Sequence, residues 1–259
     1  MSKELFDSLP IFSIFIGTAV FILLSFEVGY QISKYTQSHY EGKIDTSQGP
    51  MVGGILAMLA FVLAFTFSMA ASRFDDRKEA VLNEANAINT AYLRADLISQ
   101  PHKTEVKRLL REYVEIRLQS LKKMEVALAR SLELHELLWN QATLAAEKNP
   151  QNLNLLIIQS INEVINIHHK RLNVAVRNRI PADIRLTLYM ITAFAMVTVG
   201  SQVGLTRTRR FNQVIPMVLA FSALITLVAD LDRPAQLGLI KVSQETMIDL
   251  EKSMSRARQ

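Results

Sequence analysis

Four long apolar runs without a single charge constrain this chain more than any other feature. Leu9 to Phe26 ends at Glu27, and Pro50 to Ser72 ends at Arg73. Leu186 to Thr206 lies between Arg185 and Arg207, and Phe211 to Ala229 between Arg210 and Asp230. A bilayer core about 30 Å thick takes about 20 mostly apolar helical residues, which is the length of each run. The charges at their ends are the expected interfacial flanks. A core helix of a water-soluble protein rarely stays uncharged for so long. The pattern therefore predicts an all-α integral membrane protein with spans at about 9–27, 50–72, 186–206 and 211–229. They are arranged two plus two around a long helical insert outside the bilayer. Composition agrees only with such segregation: 49% of residues are hydrophobic while 20% are charged.

The first run is read as an uncleaved anchor. Lys3 makes a thin basic flank, Glu4 and Asp7 oppose it, and no A-x-A cleavage site follows. The expected organisation is residues 1–72 as the first pair of spans and 73–184 as the helical insert. Residues 185–230 form the second pair and 231–259 a helical tail. The insert carries helical periodicity. Val114, Leu118, Leu121, Met124, Leu128 and Leu132 recur every three or four residues, with Lys122, Lys123, Glu125 and Arg130 between them. Pro101, Pro150 and Pro181 read as breaks, which predicts helices at about Ser72–Ser99, Lys103–Glu147 and Asn152–Asn178. No stop signal separates the second span from the polar segment after it, so the two are expected to form one continuous rod.

Arg73, Arg77, Lys78, Arg177, Arg179, Arg185, Arg233 and Lys241 flank the insert side of the spans. Lys34, Lys43, Arg207, Arg209 and Arg210 flank the other. Positive-inside counting places the insert and both termini in the cytoplasm, with the protein in the cell inner membrane. Much of the basic balance behind the net charge of +5 lies beside the apolar spans. No finger, Gly-rich loop or aromatic-interleaved basic run suggests a nucleic-acid partner.

The chain has no cysteine, so thiolate chemistry and Cys-based zinc sites are excluded. Its histidines (His39, His102, His135, His168 and His169) show no ligand spacing, and His168 and His169 read as solvated helix residues. No catalytic motif, cofactor motif or metal motif is found, and no enzyme activity is expected.

Helical angles divide the second span into two faces. Gly53, Ala57, Ala60, Ala64 and Ser68 form a small-residue ridge that suits close helix packing within the protomer. The opposite stripe, Met51, Ile55, Met58, Val62, Thr66, Met69 and Arg73, either faces lipid or lines a narrow apolar pore. Ile55, Met58, Val62, Thr66 and Met69 are the pore-lining candidates. Glu27, Arg73, Asp75, Asp76 and Arg77 are candidates for charges at a pore mouth. Glu27 alternatively pairs with Lys34. In Asp230-Leu-Asp-Arg-Pro234, Asp232 reads as the cap of a following helix that begins at Arg233 and Pro234.

The segment 72–98, SRFDDRKEAVLNEANAINTAYLRADLI, follows the Gly53-Gly54 span directly. With Asp230, Asp232, Arg233 and Pro234 it resembles the bacterial bestrophin-like membrane protein family, itself remotely similar to bestrophin channels. Glu84, Asn86, Arg94 and Asp96 carry the most specific part of the likeness. The resemblance implies four membrane helices, a cytosolic helical body and a homo-oligomer, a pentamer, around one central pore for inorganic ions, anions before cations. The acidic calcium-clasp run of bestrophins is not found. The resemblance further suggests polar packing between helices by Asn86, Asn89 and Thr90. The alternative reading is a non-conducting membrane-anchored scaffold or signalling adaptor.

Overall fold

A computed structural model describes residues 9–39, 49–119, 124–148, 152–176, 178–205, 211–233 and 238–256. Among them the regular structure is helical: α1 (Ile11–His39), α2 (Gly49–Arg94), a 3₁₀ turn (Ala95–Leu97), α3 (His102–Gln119), α4 (Met124–Lys148), α5 (Asn152–Val176), α6 (Ala182–Leu205), α7 (Phe211–Asp232) and α8 (Glu245–Arg256). Four of these are long and apolar enough to cross a membrane: α1, α2, α6 and α7. The chain divides into two compact units, one of residues 1–74 and 179–240, the other of residues 75–178 and 241–259.

In the first unit α1 lies against α6 and α7. The closest approach is made by small residues at spacings of four. A Cβ on Gly29 would overlap the Val197 carbonyl, and one on Gly200 would overlap the Phe26 carbonyl. One on Gly204 would come 2.8 Å from the Ser33 Cβ. Ser25, Gly29 and Ser33 on α1 thus face Gly200 and Gly204 on α6, and all five are buried. Lipid tails are as apolar as the side chains, so helices here gain by backbone proximity rather than by burying oil. Phe21 and Tyr189 add an edge-to-face contact at 5.6 Å, and the Thr18 and Tyr189 hydroxyls meet at 3.2 Å.

This corrects the expected small-residue seam. The ridge of α2, Gly53, Ala57, Ala60, Ala64 and Ser68, is exposed in the single chain. The α2 residues that reach the unit's core are Val52, Leu59, Leu63 and Ala70. Spacing alone marks a face where close approach is permitted, and two different spans carried one.

The second unit is built from the polar part of α2 with α3, α4, α5 and α8. The expected break at Pro101 is present, and α2 does run unbroken from Gly49 to Arg94. The expected helix Lys103–Glu147 is instead the hairpin α3–α4, its connection lying outside the described residues. His102 Nδ1 meets Gln141 Oε1 at 2.8 Å, and Arg130 Nε donates to Glu112 Oε1 at 2.9 Å. In one straight helix, residues 102 and 141 would stand about 58 Å apart. The apolar periodicity of α3 continues into α4, and the sequence between them holds no Gly or Pro. Val106, Leu110, Leu134, Leu138, Ile157 and Ile161 meet in the core, together with Met247, Leu250 and Met254 of α8.

Candidate functional site

The second span presents its pore candidates differently from the expected stripe. Thr66 is fully buried, its hydroxyl donating to the Val62 carbonyl at 2.7 Å. Ile55 and Val62 are half-buried against the same core, and Met69 is half-buried. Only Met58, 54% exposed, points clear of the chain. The uncovered face instead runs through the small ridge to Phe61 and Phe65, which are 74% and 57% exposed. Phe61 and Phe65 are four residues apart and therefore share one helix face with Met58 beside them. Sequence reasoning passed over this pair because the apolar pattern of a span is nearly continuous and does not reveal which side its own protomer covers.

The charged residues at the span ends are mostly engaged. Asp232 accepts a hydrogen bond from the Ile180 backbone N–H at 2.8 Å, with Arg73 and Arg185 nitrogens at 3.8 and 3.7 Å. Asp230 accepts from the backbone N–H groups of Leu239 and Ile240 at 2.9 and 3.0 Å. Arg233 donates to the Leu9 carbonyl at 2.6 Å. This run therefore ties chain segments together at the C-terminal end of α7. The expected cap is absent from Asp232, which closes α7 while the next described helix begins at Glu245; Pro234 lies outside the described residues. Backbone N–H groups left over where helices end need such acceptors. Of the other mouth candidates, Arg77 is buried, Asp75 and Asp76 are exposed, and Glu27 accepts from Gln31 Nε2 at 2.6 Å.

The largest departure from expectation is in the helical unit. Glu84 is fully buried and meets Arg171 in an ion pair, Arg117 Nε at 3.1 Å and the Tyr113 hydroxyl at 2.8 Å. Burial opposes the charge, but His168, the Arg171 and Arg117 guanidinium groups and the donating Tyr113 hydroxyl outweigh it and hold the carboxyl well below the usual carboxylate range. The Tyr113 oxygen also lies 2.9 Å from His168 Nδ1. Since the tyrosine gives its one proton to Glu84, His168 must donate through Nδ1–H, leaving Nε2 as a bare acceptor. His135 packs edge-on to His168, ring centroids 4.7 Å apart, and 5.0 Å from the Tyr113 ring. His168 Nε2 and both His135 ring nitrogens are buried without a hydrogen-bond partner in the protein. Burial pushes the His135 imidazole down to about 4, with the neighbouring His168 and His169 adding to it, and burial lowers His168 also. Burial, then the Glu84 charge, raises the Tyr113 phenol well above its usual value.

His168 was expected in solvent and is fully buried; His169, its neighbour, is exposed. The missed signal was positional. Glu84 falls on the helix face of Ala80, Val81 and Ile88, His135 between Leu134 and Leu138, and His168 four residues after Val164, all of them buried. A polar residue on an apolar face is the informative observation.

The remaining motif residues are local ties. Arg94 Nη1 donates to the Ser160 hydroxyl at 2.9 Å and to the Leu156 carbonyl at 3.3 Å. Asp96 meets Lys103 and Lys107 at 2.8 and 2.7 Å. Its side chain is 46% exposed, so Asp96→Asn is expected to cost at most about 1 kcal/mol, read from denaturant midpoints. Asn86, Asn89 and Thr90 are exposed, and Asn86 and Thr90 border an open groove with Glu163 and Lys170.

A solved structure described as that of a membrane protein superposes with a TM-score of 0.63 at 15% identity, covering 90% of this chain and 95% of that one. At this identity the likeness establishes the fold. A search of curated proteins finds no match. The bestrophin-like domain profile matches residues 19–247, which take in most of α1, the other three spans, the Glu84 cluster and Asp230 to Arg233. This chain of membrane-spanning and buried-charge helices belongs to the bestrophin-like family.

Proposed function

We propose that the protein is a homo-oligomeric ion channel whose pore is lined by α2, set in the cell inner membrane with its helical unit in the cytoplasm. The observation that carries this reading is the uncovered face of α2. Of the four candidate spans it has the smallest buried share, 22%, and Phe61 and Phe65 project from it. Copies of α2 around an axis would bring these phenyl rings into a ring-shaped apolar neck. Such a neck limits ion flow by dewetting rather than by a charged filter. The small ridge at Gly53, Ala57, Ala60 and Ala64 allows the adjacent copy to approach closely.

The revised pore face is thus Met58, Phe61 and Phe65, in place of Ile55, Val62, Thr66 and Met69. Flux of inorganic ions from liposomes carrying the purified protein tests it. Phe61→Ala and Phe65→Ala are expected to raise flux several-fold by widening the neck, while Thr66→Val leaves it near the parent's. The reversal potential under a salt gradient gives the sign of the permeant ion; the anion preference implied by the family likeness predicts a chloride-following potential. An inserted oligomer that passes neither anions nor cations, in parent and variants alike, would replace this reading by the membrane-anchored scaffold.

A further inference from the structure

The buried polar cluster of the helical unit joins four helices through one acid and several bases. Glu84 comes from α2, Tyr113 and Arg117 from α3, His135 from α4, and His168 and Arg171 from α5. Arg171 also reaches Gln244 Oε1 at 3.4 Å, just before α8. Arg117 and Arg171 both pair with the one Glu84 carboxylate. The exposed His169 stands beside His168, ring centroids 5.8 Å apart. A proton arriving at His168 Nε2 or at either nitrogen of His135 would find no acceptor in the protein and a second imidazole at van der Waals distance. The Glu84 carboxylate, 3.9 Å from His168 Nδ1, is already shared among Arg117, Arg171 and Tyr113.

We infer that this cluster is an acid-sensitive latch: proton uptake by the His135–His168 pair parts the helices that meet at Glu84. The step is a simple proton binding. A neutral imidazole nitrogen takes a proton from water, the pair gains one positive charge, and the added charge repels Arg117 and Arg171. Burying a cation without a partner is costly, so the cluster opens to admit water instead. The inference stands whether or not the protein conducts ions.

The sign follows from the direction of the shift. The folded state holds His135 neutral down to about 4, whereas the unfolded value is near the usual 6.5. Between those values the opened state binds more protons, so opening is favoured as pH falls. By that linkage one such group multiplies the opening equilibrium about tenfold at pH 5.5 relative to pH 7.5.

Hydrogen exchange of the full-length protein in lipid nanodiscs, corrected for the intrinsic pH dependence, reads this directly. Amides around Glu84, Tyr113, His135 and His168 are expected to open about tenfold more at pH 5.5 than at pH 7.5. In His135→Phe that increment is expected to shrink markedly, and His169→Gln is expected to keep it. Equal exchange at both pH values in the parent, or an undiminished response in His135→Phe, overturns the latch. Should His135→Phe fail to fold, imidazole C2–H exchange on the parent protein decides. A His135 midpoint near 4 supports the inference, and one near 6.5 overturns it.

Discussion

Replacing Glu84 by alanine is expected to remove about 3–5 kcal/mol from the stability of the helical unit, the cost of breaking a buried ion pair from one side. The carboxylate is fully buried, and its loss would remove the one counter-charge shared by Arg117 and Arg171, whose side chains are 8% and 13% exposed. The Tyr113 hydroxyl would lose its acceptor as well. Because folded domains are stable by only about 5–15 kcal/mol, a loss of that size would leave the unit close to unfolding. Glu84→Gln keeps the volume and an acceptor for Tyr113 but not the charge, and is expected to recover only part of the loss. Protection of α3 and α5 amides in hydrogen exchange of the full-length protein measures it. Glu79, exposed on the same helix and bonded to Asn83 at 3.2 Å, is the comparison; Glu79→Ala is expected to stay within about 0.5 kcal/mol. A Glu84→Ala loss no larger than that of Glu79→Ala would show that the cluster does not hold the helices together.

The second large effect lies in the membrane. Gly200→Val and Gly29→Val each place a branched side chain where the opposing helix already has its backbone carbonyl. Overpacking usually costs about 1–3 kcal/mol when neighbouring side chains can move aside. Here the obstacle is backbone on a span, so α1 and α6 must separate along their length, and the cost is expected at or above the top of that range. The expected result is little or no monodisperse protein after detergent extraction. Gly17→Val on the same α1 is the control, since nothing lies within 4 Å of a Cβ there. Folded, fully stable Gly200→Val protein would mean that α1 and α6 are not locked by this contact.

The two effects fall on residues of different legibility. Gly29, Gly200 and Gly204 could be read as candidates from their spacing, but so could Gly53, Ala57 and Ala60 of α2. Small residues permit close approach without requiring it, and the partner helix decides which ridge is used. In this chain α6 occupies the ridge of α1 and leaves that of α2 open. The Glu84 cluster was less legible still. Glu84 was singled out by the family likeness, but its partners lie 29, 33, 84 and 87 residues away, at Tyr113, Arg117, His168 and Arg171. Nothing local to those positions names the others.

The sequence by itself determined the class of the molecule. Uncharged runs of about 20 residues have the length of a membrane helix, which satisfies its own backbone groups in lipid. Four spans thus followed from the pattern along the chain, and the helical insert followed from its periodicity. The unbroken α2 was equally legible, because a helix without Gly, Pro or Asn near the boundary has nothing to stop it. The tertiary structure alone decided which face of each helix is covered, that Lys103–Glu147 folds back as a hairpin, and that His135 and His168 are buried. Helical periodicity fixes which residues share a side, but it carries no information about which side another helix will take. That choice is made by contacts between residues far apart in sequence, and at Glu84 those contacts set the charge and protonation of the whole cluster.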